Sequence, residues 1–270
     1  MNKYAVWGNP ISQSKSPRIH QLFAQQTGKN IDYSAQLGDS TLFKQQIYDF
    51  FQQGAKGANI TAPFKEEAFQ LADCHSESCL LAEACNTLKL LDNGNLYADN
   101  TDGMGLVMDL ERLGWLTENQ NILILGAGGA TKGVLYPLLN RKQTITLYNR
   151  TLAKAVTLTQ KFAKFGHITT TTLEQLNHQS FDLIINATSL GLQGKYVPLP
   201  SHLLQHSKVY DMQYASNMNT PFLHYAIKNG AKQVQDGLGM LVGQAAYSFY
   251  LWESIMPEIP PVLQQLKIEI

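Results

Sequence analysis

The fold of this chain is decided by one stretch, Asn121-Ile122-Leu123-Ile124-Leu125-Gly126-Ala127-Gly128-Gly129-Ala130-Thr131. Its first part, 121–125, is an almost continuous apolar run, which is typical of a strand in the buried centre of a parallel sheet. The glycines let the backbone approach a pyrophosphate, and the next helix, 129–139, offers free N–H groups and a positive dipole end. Thr131 stands where the common fingerprint has its third glycine. The stretch predicts a strand, a dinucleotide-binding turn and a helix, although a tight turn without a ligand has the same pattern.

The next strand, 144–148, ends in Asn149-Arg150-Thr151, at the place where NAD-binding sites usually carry an acidic residue. No carboxylate is present at this position. The Arg150 guanidinium can pair with a 2′-phosphate, Thr151 can donate to it, and Lys154 supplies a second positive charge. We therefore predict NADP rather than NAD as the cofactor. The alternative is that Arg150 is only a solvated residue at a helix end.

Helices and strands continue to alternate on both sides of this unit. This alternation predicts an open, doubly wound parallel sheet of the Rossmann type. The strand 181–186 ends in Asn186-Ala187-Thr188-Ser189, which we expect to face the same cofactor crevice. The run Thr169–Thr172 is interpreted as a short polar segment. The other predicted elements are helices 103–113, 152–165, 220–229 and 237–253, and strands 207–211 and 232–235.

The first hundred residues form a separate α/β pattern. Ser16 is expected to cap a helix that runs to Thr27 and ends at Gly28, and Asp92-Asn93-Gly94-Asn95 predicts a hairpin turn. In the helix 41–53 we assign the apolar side to Leu42, Ile47, Phe50 and Phe51. The remaining predictions are strands 3–7, 31–37, 57–61, 85–91 and 96–99 and a helix over 65–72. We place the domain boundary near Asp102, giving domains 1–101 and 102–237, with the helices of 238–270 packing back onto the first.

Composition limits the classes of function. Hydrophobic residues make up 44% and charged residues 16% of the 270 residues, which is ordinary for a globular protein. The formal net charge is zero, so there is no electrostatic argument for nucleic acid or for an anionic membrane as a partner. We find neither a signal peptide nor an apolar run of roughly 18 residues that could span a membrane. We therefore expect a cytoplasmic protein. We also predict a small-molecule substrate and a monomer or weak homodimer, although no residue pattern indicates the oligomeric state.

The cysteines and histidines do not indicate a metal site. Cys74, Cys79 and Cys85 are three in number and form no CxxC pair, so reduced thiols are the simplest interpretation. His202 and His206 are four residues apart, but Leu203 stands where a metalloprotease helix has its Glu. We predict no bound metal.

Four polar clusters stand at strand ends in the first domain, and an α/β domain forms its ligand crevice at the carboxyl ends of its strands. Amides, hydroxyls, one lysine and one aspartate suit a polyhydroxylated acid. Purely structural roles are the alternative for five of these residues: Ser16 and Asp102 could be helix caps, Asn59 and Asn86 could bind turn backbones, and Lys65 could be a solvated residue. The clusters are Ser14-Lys15-Ser16, Asn59-Ile60-Thr61-Ala62-Pro63-Phe64-Lys65, Asn86-Thr87 and Asn100-Thr101-Asp102.

The ordered set of motifs resembles that of the shikimate dehydrogenase family. It covers nearly the whole chain, and its order is more specific than any single motif. One departure is the loop 213–219, where many relatives have a proline, so its shape is not given by the resemblance. Besides the four clusters, the glycine turn and Asn149-Arg150-Thr151, the matching segments are Asn186-Ala187-Thr188-Ser189-x-Gly191, Asp211-Met212-x-Tyr214 and Asp236-Gly237-x-x-Met240-Leu241-x-x-Gln244.

The resemblance implies reversible, NADPH-dependent reduction of 3-dehydroshikimate to shikimate in aromatic amino-acid biosynthesis. It also implies a mixed-sheet substrate domain, a Rossmann-like cofactor domain and an active site in the cleft between them. Lys65 and Asp102 would be the catalytic pair. The substrate would be bound by Ser14, Ser16, Asn59, Thr61, Asn86, Asp102, Tyr214 and Gln244. The cofactor would be bound by Gly126, Ala127, Gly128, Gly129, Ala130, Asn149, Arg150, Thr151, Lys154, Thr188, Ser189, Met212, Gly237 and Glu77.

Physical chemistry supports the pair independently of the resemblance. A hydride that reaches a carbonyl carbon leaves negative charge on the oxygen, and that oxygen needs a proton donor. The Lys65 ammonium can donate, and the Asp102 carboxylate can orient it. Gln244 is a polar residue in the apolar run 238–252, with Ser248 one turn later on the same face. A buried amide must find partners, and a substrate hydroxyl or a backbone carbonyl would serve.

Other functions fit the residues less well. A quinate/shikimate dehydrogenase that uses NAD is disfavoured by Arg150. The short-chain dehydrogenases need Tyr-x-x-x-Lys, which does not occur here. The zinc-dependent alcohol dehydrogenases need a set of Cys and His zinc ligands, which this chain lacks. An inactive NADP-binding sensor, the alternative from another class, would be expected to lose Lys65 or Asp102, and both are present.

Overall fold

The computed structural model describes residues 1–269, which divide into two compact units. The first unit comprises Met1–Gly105 and Val242–Gln264, and the second comprises Leu106–Leu241 and the residues after Gln264. Each unit is built of alternating strands and helices, which confirms the predicted α/β class. Among the described residues, no helix is long and apolar enough to cross a lipid bilayer.

The first unit contains a mixed sheet of six strands. Its elements are β1 (Asn2–Gly8), α1 (Ser16–Thr27), β2 (Ile31–Leu37), α2 (Phe43–Gln52), β3 (Ala55–Ile60), α3 (Lys65–Leu71), β4 (Cys74–His75), α4 (Glu77–Ala82), β5 (Thr87–Leu90) and β6 (Leu96–Asp99). The strand order is β2-β1-β3-β5-β6-β4. β1 pairs in parallel with β2 and β3, whereas β5 runs antiparallel to β3 and β6. β1 and β3 therefore end on the same side of the sheet, and the polar residues that follow them lie there together.

The second unit contains a parallel sheet of six strands, as predicted for a doubly wound fold. The elements that follow β6 along the chain are α5 (Asp102–Arg112), β7 (Asn121–Leu125), α6 (Gly129–Leu139), β8 (Thr144–Tyr148), α7 (Leu152–Phe162), β9 (Ile168–Thr171), β10 (Leu183–Asn186), α8 (Ser201–His206), β11 (Lys208–Asp211), α9 (Pro221–Lys228), β12 (Val234–Gln235), α10 (Leu238–Glu253) and α11 (Ile259–Glu269). The strand order in this sheet is β12-β11-β10-β7-β8-β9.

Each sheet is covered by a hydrophobic core. In the first unit, Phe43, Ile47 and Phe50 of α2 pack with Ile60 and Leu88 of the sheet. The second unit buries the central strand β7 completely from Ile122 to Leu125, as its apolar run predicted. These cores fix the strands, and many of the candidate functional residues stand at or near the strand ends.

The structure corrects two details of the sequence interpretation. Ser16 does not cap α1, because the helix starts at Ser16 itself, after Lys15, and has no side-chain cap. Leu42 does not belong to the apolar side of α2; it precedes the helix and is 57% exposed, while Phe43 is buried. Both errors are shifts of a residue at a helix start, where the hydrophobic period is least informative.

Four short elements were not predicted, namely β4, α4, β9 and α8. The polar segment Thr169–Thr172 forms most of β9, an edge strand that pairs only with β8. Threonine is β-branched and favours strands, but a polar edge strand lacks the apolar signal of a central one. Ser76 caps the start of α4, where its hydroxyl accepts from the Cys79 N–H. β4, α4 and α8 are only two to six residues long, which is too short to show a hydrophobic period.

Candidate active site

An ion pair stands at the centre of the polar residues of the first unit. Lys65 Nζ lies 2.6 Å from Asp102 Oδ2, and the two side chains are 31% and 20% exposed. Lys65 is the first residue of α3 and Asp102 the first of α5. Lys65 is therefore not simply solvated, because its ammonium binds Asp102, and Asp102 does not precede α5 as a cap but is the first residue of that helix. Asn100 instead accepts from the Asp102 N–H at 3.2 Å.

Asn86 connects the aspartate of this pair to a glutamine. Its Nδ2 donates to Asp102 Oδ1 at 2.8 Å, to Thr101 Oγ1 at 2.9 Å and to Gln244 Oε1 at 3.2 Å. Its Oδ1 accepts from the Thr101 N–H at 2.8 Å. Asn86 therefore supports a turn backbone and also holds two predicted site residues. A row Lys65–Asp102–Asn86–Gln244 is thereby fixed by direct hydrogen bonds.

Asn59 lies deeper in the same network. Its side chain is 5% exposed, and its Oδ1 accepts from the Tyr33 hydroxyl at 2.7 Å. Its Nδ2 lies 3.1 Å from each of three acceptors: the Asn86 carbonyl, Thr87 Oγ1 and Ser248 Oγ. Both ends of this amide are thus occupied by protein groups. Asn59 lies within β3, next to its last residue, and is held more firmly than a position near a strand end suggests.

Ser14 and Thr61 are among the more open of the unit's polar site residues, whereas Ser16 is buried. Ser14 Oγ accepts from the Ser16 N–H at 3.3 Å, so the two serines are neighbours at the start of α1. Thr61 is half-buried. A Cβ on Gly8 would lie 2.4 Å from Thr61 Cγ2, so the glycine at the end of β1 gives Thr61 its place.

The glycine turn of the second unit has the backbone geometry that phosphate binding needs. Gly126 has a φ of +108°, and an added Cβ would lie 3.2 Å from Thr188 Cγ2 and 3.3 Å from the Ala187 carbonyl oxygen. Only glycine fits this conformation without strain. Gly128, Gly129 and Ala130 are exposed at the start of α6. Their N–H groups are the first of the helix and lack partners within it.

Thr131, which replaces the third glycine, has a defined role in this turn. It is fully buried, and its hydroxyl donates to the Gly126 carbonyl at 2.9 Å. The side chain therefore ties the first turn of α6 to the end of β7. In this chain the third fingerprint position stabilises the turn by a hydrogen bond rather than by the absence of a side chain.

The segment after β8 presents two free cations. Arg150 and Lys154 are exposed, and neither forms an ion pair with any of the described residues. Asn149 Nδ2 donates to the Thr151 carbonyl at 2.8 Å, which shapes the turn. Thr151 precedes α7 and does not cap it with its side chain. An anion at this turn would meet two unneutralised positive charges and a free hydroxyl.

A buried aspartate organises two other loops of the unit. Asp211 Oδ1 accepts from Asn186 Nδ2 at 2.9 Å and from the Gln213 N–H at 3.1 Å, and Oδ2 accepts from Thr220 at 2.7 Å. Burial raises the pKa of this carboxyl, and the hydrogen bonds oppose that rise. Asn186 Oδ1 in turn accepts from the N–H and hydroxyl of Thr188. The loop with Thr188 and Ser189 and the loop with Met212 are thus built on one network.

The remaining predicted residues occupy separate positions. Gly237 is buried beside Met212, and an added Cβ would lie 2.2 Å from the Met212 carbonyl oxygen. Tyr214 is 38% exposed, and burial of part of its ring raises the pKa of its hydroxyl. The loop after it contains a short 3-10 turn, Ser216–Met218. Glu77 is exposed in the first turn of α4, and its role at the cofactor stays a prediction.

Sequence reasoning gave no role to four residues of the network in the first unit. The hydroxyls of Thr87, Thr101 and Ser248 lie 2.8 to 3.4 Å from one another, and Tyr33 contacts Asn59. Ser248 carried a usable signal, a buried polar residue one turn after Gln244. Tyr33 carried none, since an aromatic residue in a strand is ordinary.

The fold and these residues define a class. The second unit has a parallel sheet, a glycine turn suited to phosphate and exposed cations after its second strand, and the first unit has a lysine–aspartate pair among polar residues. These features are typical of a dehydrogenase that uses a dinucleotide. Three family models match the chain: the shikimate dehydrogenase substrate binding domain over 6–88, shikimate/quinate 5-dehydrogenase over 111–193, and the shikimate 5′-dehydrogenase C-terminal domain over 237–267. The chain belongs to the shikimate dehydrogenase family.

Relatives and solved structures agree with this membership. A shikimate dehydrogenase (NADP⁺) of Glaesserella parasuis serovar 5 is 69% identical over 270 residues, covering 100% of this chain and 99% of the relative. The crystal structure of an Ael1 enzyme from Pseudomonas putida matches with a TM-score of 0.93 and 41% identity over 98% of each chain. A shikimate 5-dehydrogenase from Thermus thermophilus, in complex with NADP(H) and shikimate, matches with a TM-score of 0.86 and 28% identity, covering 100% and 99%. The predicted family and the choice of NADP are thereby confirmed.

Proposed function

We propose that this chain reduces the ketone of 3-dehydroshikimate to the alcohol of shikimate with NADPH, reversibly, with Lys65 and Asp102 as its catalytic pair. The observation that carries the assignment of the pair is its geometry. Lys65 Nζ and Asp102 Oδ2 are 2.6 Å apart and part-exposed, and the second oxygen of Asp102 is bound to Asn86. The ketone oxygen would lie beside Lys65.

Stability alone does not account for this ion pair. Both side chains keep contact with solvent, and part-exposed pairs contribute about 0–1 kcal/mol. Lys65 also lies in the first turn of α3, where the helix dipole disfavours a cation. A functional role explains why a lysine is kept at this position.

The residues of the pair have distinct tasks. NADPH, when bound, supplies the hydride. The Lys65 ammonium donates a proton to the ketone oxygen as negative charge develops there, and in the reverse direction the neutral amine accepts the proton of the alcohol. Asp102 orients Lys65 through one oxygen, and Asn86 fixes Asp102 through the other. The ammonium is therefore held in one direction before substrate arrives.

The residues of the second unit suit NADPH. The turn Gly126–Ala130 is open to a pyrophosphate, since a Cβ at Gly128 or Gly129 would meet no atom within 4 Å, and the missing side chain of Gly126 lets its backbone pass close to Ala187 and Thr188. Arg150 and Lys154 are unpaired cations at the position of a 2′-phosphate, with Thr151 as a donor. We assign Asn149, Thr188, Ser189, Met212 and Gly237 to the rest of the cofactor, and Glu77 as an additional contact.

The substrate contacts follow from the chemistry of a polyhydroxylated acid. Ser14 and Ser16, neighbours at the start of α1, would bind the carboxylate. The ring hydroxyls would be bound by Asn59, Thr61, Asn86, Asp102, Gln244 and Tyr214. We further propose that 1–101 with the helices of 238–270 is the substrate domain, that 102–237 is the cofactor domain, and that the protein is a cytoplasmic monomer or weak dimer.

A spectrophotometric assay at a wavelength absorbed by NADPH tests the function. Shikimate and quinate are each supplied with NADP and with NAD, and turnover is expected chiefly with shikimate and NADP. Lys65→Ala should lower kcat by about 10²-fold or more, the scale of lost acid–base catalysis. Lys56→Ala, the loss of an exposed lysine in β3, is the matched control and should leave kcat unchanged.

Two results would contradict the proposal. A near-normal kcat with a raised KM in Lys65→Ala would make Lys65 a binding residue. Stabilisation of the wild type by NADPH in a thermal-shift titration, without turnover of either substrate, would indicate a cofactor sensor.

A further inference from the structure

The two ends of the Asn59 side-chain amide are held by residues from distant parts of the chain. Its carbonyl end meets the Tyr33 hydroxyl of β2, and its amino end meets Ser248 of α10. These contacts bring together residues 26 and 189 positions away in the sequence. We propose that Tyr33 and Ser248 are positioning residues that fix the Asn59 amide for substrate binding. The inference rests on the proposed function.

The orientation of the amide is determined by its surroundings. Asn59 Nδ2 lies 3.1 Å from the Asn86 carbonyl oxygen, which can only accept. The reversed amide would place Oδ1 against that oxygen, acceptor against acceptor. Oδ1 must therefore face Tyr33, and the Tyr33 hydroxyl must be the donor. The hydrogen at this end of the amide thus comes from the Tyr33 hydroxyl.

Tyr33 is itself well placed to stay a donor. Its ring stacks on the buried His20 ring, with centroids 4.2 Å apart and planes at 8°. Burial raises the pKa of its hydroxyl well above the usual value, so the proton remains on the oxygen at neutral pH. The Ser16 side chain beside this hydroxyl lowers that pKa by a smaller amount. Tyr33 thus stands between two predicted substrate residues, Ser16 and Asn59.

Ser248 performs the matching task at the other end. It is fully buried, and its hydroxyl donates to the Gln244 carbonyl at 2.9 Å, one turn earlier in α10. Its oxygen is then left to accept from Asn59 Nδ2 at 3.1 Å, and it lies 2.8 Å from Thr87 Oγ1. Ser248 therefore sets Asn59 relative to the helix turn that carries Gln244. Loss of the hydroxyl would leave the Asn86 carbonyl and Thr87 Oγ1 as the acceptors of Asn59 Nδ2, so the amide would no longer be tied to the turn of α10 that carries Gln244.

A double-mutant cycle tests this role. Tyr33→Phe keeps the ring and removes only the donor, so the KM for shikimate should rise about tenfold, the cost of one buried acceptor without a partner. kcat and the KM for NADP should change by less than about threefold, a change below 1 kcal/mol. In an Asn59→Ala background, Tyr33→Phe should have no further effect on the KM for shikimate. Ser248→Ala should show the same pattern independently.

The controls separate positioning from general damage and from a wrong function. Tyr48→Phe removes a hydroxyl from a tyrosine that is 61% exposed on α2, and it should change neither KM. An unchanged KM for shikimate in Tyr33→Phe and in Ser248→Ala, with an active wild type, would overturn the inference alone. So would an undiminished effect of Tyr33→Phe in the Asn59→Ala background. A wild type that does not oxidise shikimate would overturn the proposed function, and the inference with it.

Discussion

His20 should make the stability of the first unit depend on pH. The ring is fully buried, stacked on Tyr33 and edge-on to Phe23 at 5.9 Å. Neither ring nitrogen has a partner with hydrogen-bond geometry among residues 1–269. Burial lowers the pKa of His20 from its ordinary 6.5 to about 3, because a charged imidazolium would lose its hydration, and the nearby Asn59 side chain opposes this shift by a smaller amount. His20 is therefore neutral in the folded protein throughout the pH range of ordinary assays.

The sign and size of the effect follow from the two pKa values. The unfolded chain binds a proton at His20 below about pH 6.5, whereas the folded chain binds it only near pH 3. The stability that His20 contributes is complete above pH 6.5 and is lost as the pH falls from there toward 3. The loss is about 1.4 kcal/mol per pH unit in this window. Acidification from pH 7 to pH 5 should therefore lower the free energy of unfolding by about 2 kcal/mol through His20 alone.

Urea unfolding at the two pH values measures this loss. The perturbed protein is His20→Phe, which keeps an aromatic ring in the stack and cannot be protonated. Every other titrating group is shared with the wild type, so the difference between the two pH dependences isolates His20. The wild type should lose about 2 kcal/mol more than His20→Phe between pH 7 and pH 5. Equal losses in the two proteins would refute the reasoning, because they would mean that the folded protein also protonates His20.

The two remaining predictions concern the second unit. Arg150→Ala should raise the KM for NADP about tenfold, the scale of a lost charge-assisted hydrogen bond, and leave the KM for NAD unchanged; an equal rise for both cofactors would contradict the assignment of Arg150 to the 2′-phosphate. Gly237→Ala should lower the free energy of unfolding by about 1–3 kcal/mol and weaken NADP binding in a thermal-shift titration, because the new Cβ would lie 2.2 Å from the Met212 carbonyl oxygen. Gly129→Ala, whose Cβ would meet no atom within 4 Å, is the control for stability, and equal unfolding of both variants would count against this reasoning.

Most of the fold could be predicted from local sequence patterns. β7, α6 and β8 have the bounds that the sequence predicted, because an apolar run, a glycine turn and a second strand each leave a local signal. The hairpin between β5 and β6 follows from Asn93-Gly94, where Gly94 has a φ of +86°. The elements that were missed are short or lie at an edge, where few buried residues reveal a period.

The candidate site was predictable only in part. The polar clusters after the strand ends could be found because each contains a residue type with a chemical use, and Lys65 with Asp102 did form a pair. The contacts among the supporting hydroxyls could not be found in this way, although Thr87 and Thr101 lie in the predicted clusters and Ser248 follows Gln244 by one turn. Thr87, Thr101 and Ser248 are hydroxyl residues like many others in the chain, and their meeting depends on α10 returning to β5.

The class of fold and the choice of NADP could be predicted from the sequence alone, as could the glycine turn and the lysine–aspartate pair to which we assign phosphate binding and proton transfer. Each depends on neighbours within a few positions or on residue type, which a sequence displays directly. Three features needed the tertiary structure: Asn59 is held by Tyr33 and Ser248, Thr131 closes its turn through the Gly126 carbonyl, and the buried ring nitrogens of His20 have no hydrogen-bond partner among the described residues. A hydrogen bond exists only when two atoms lie within about 3 Å, and burial depends on every element packed around a side chain.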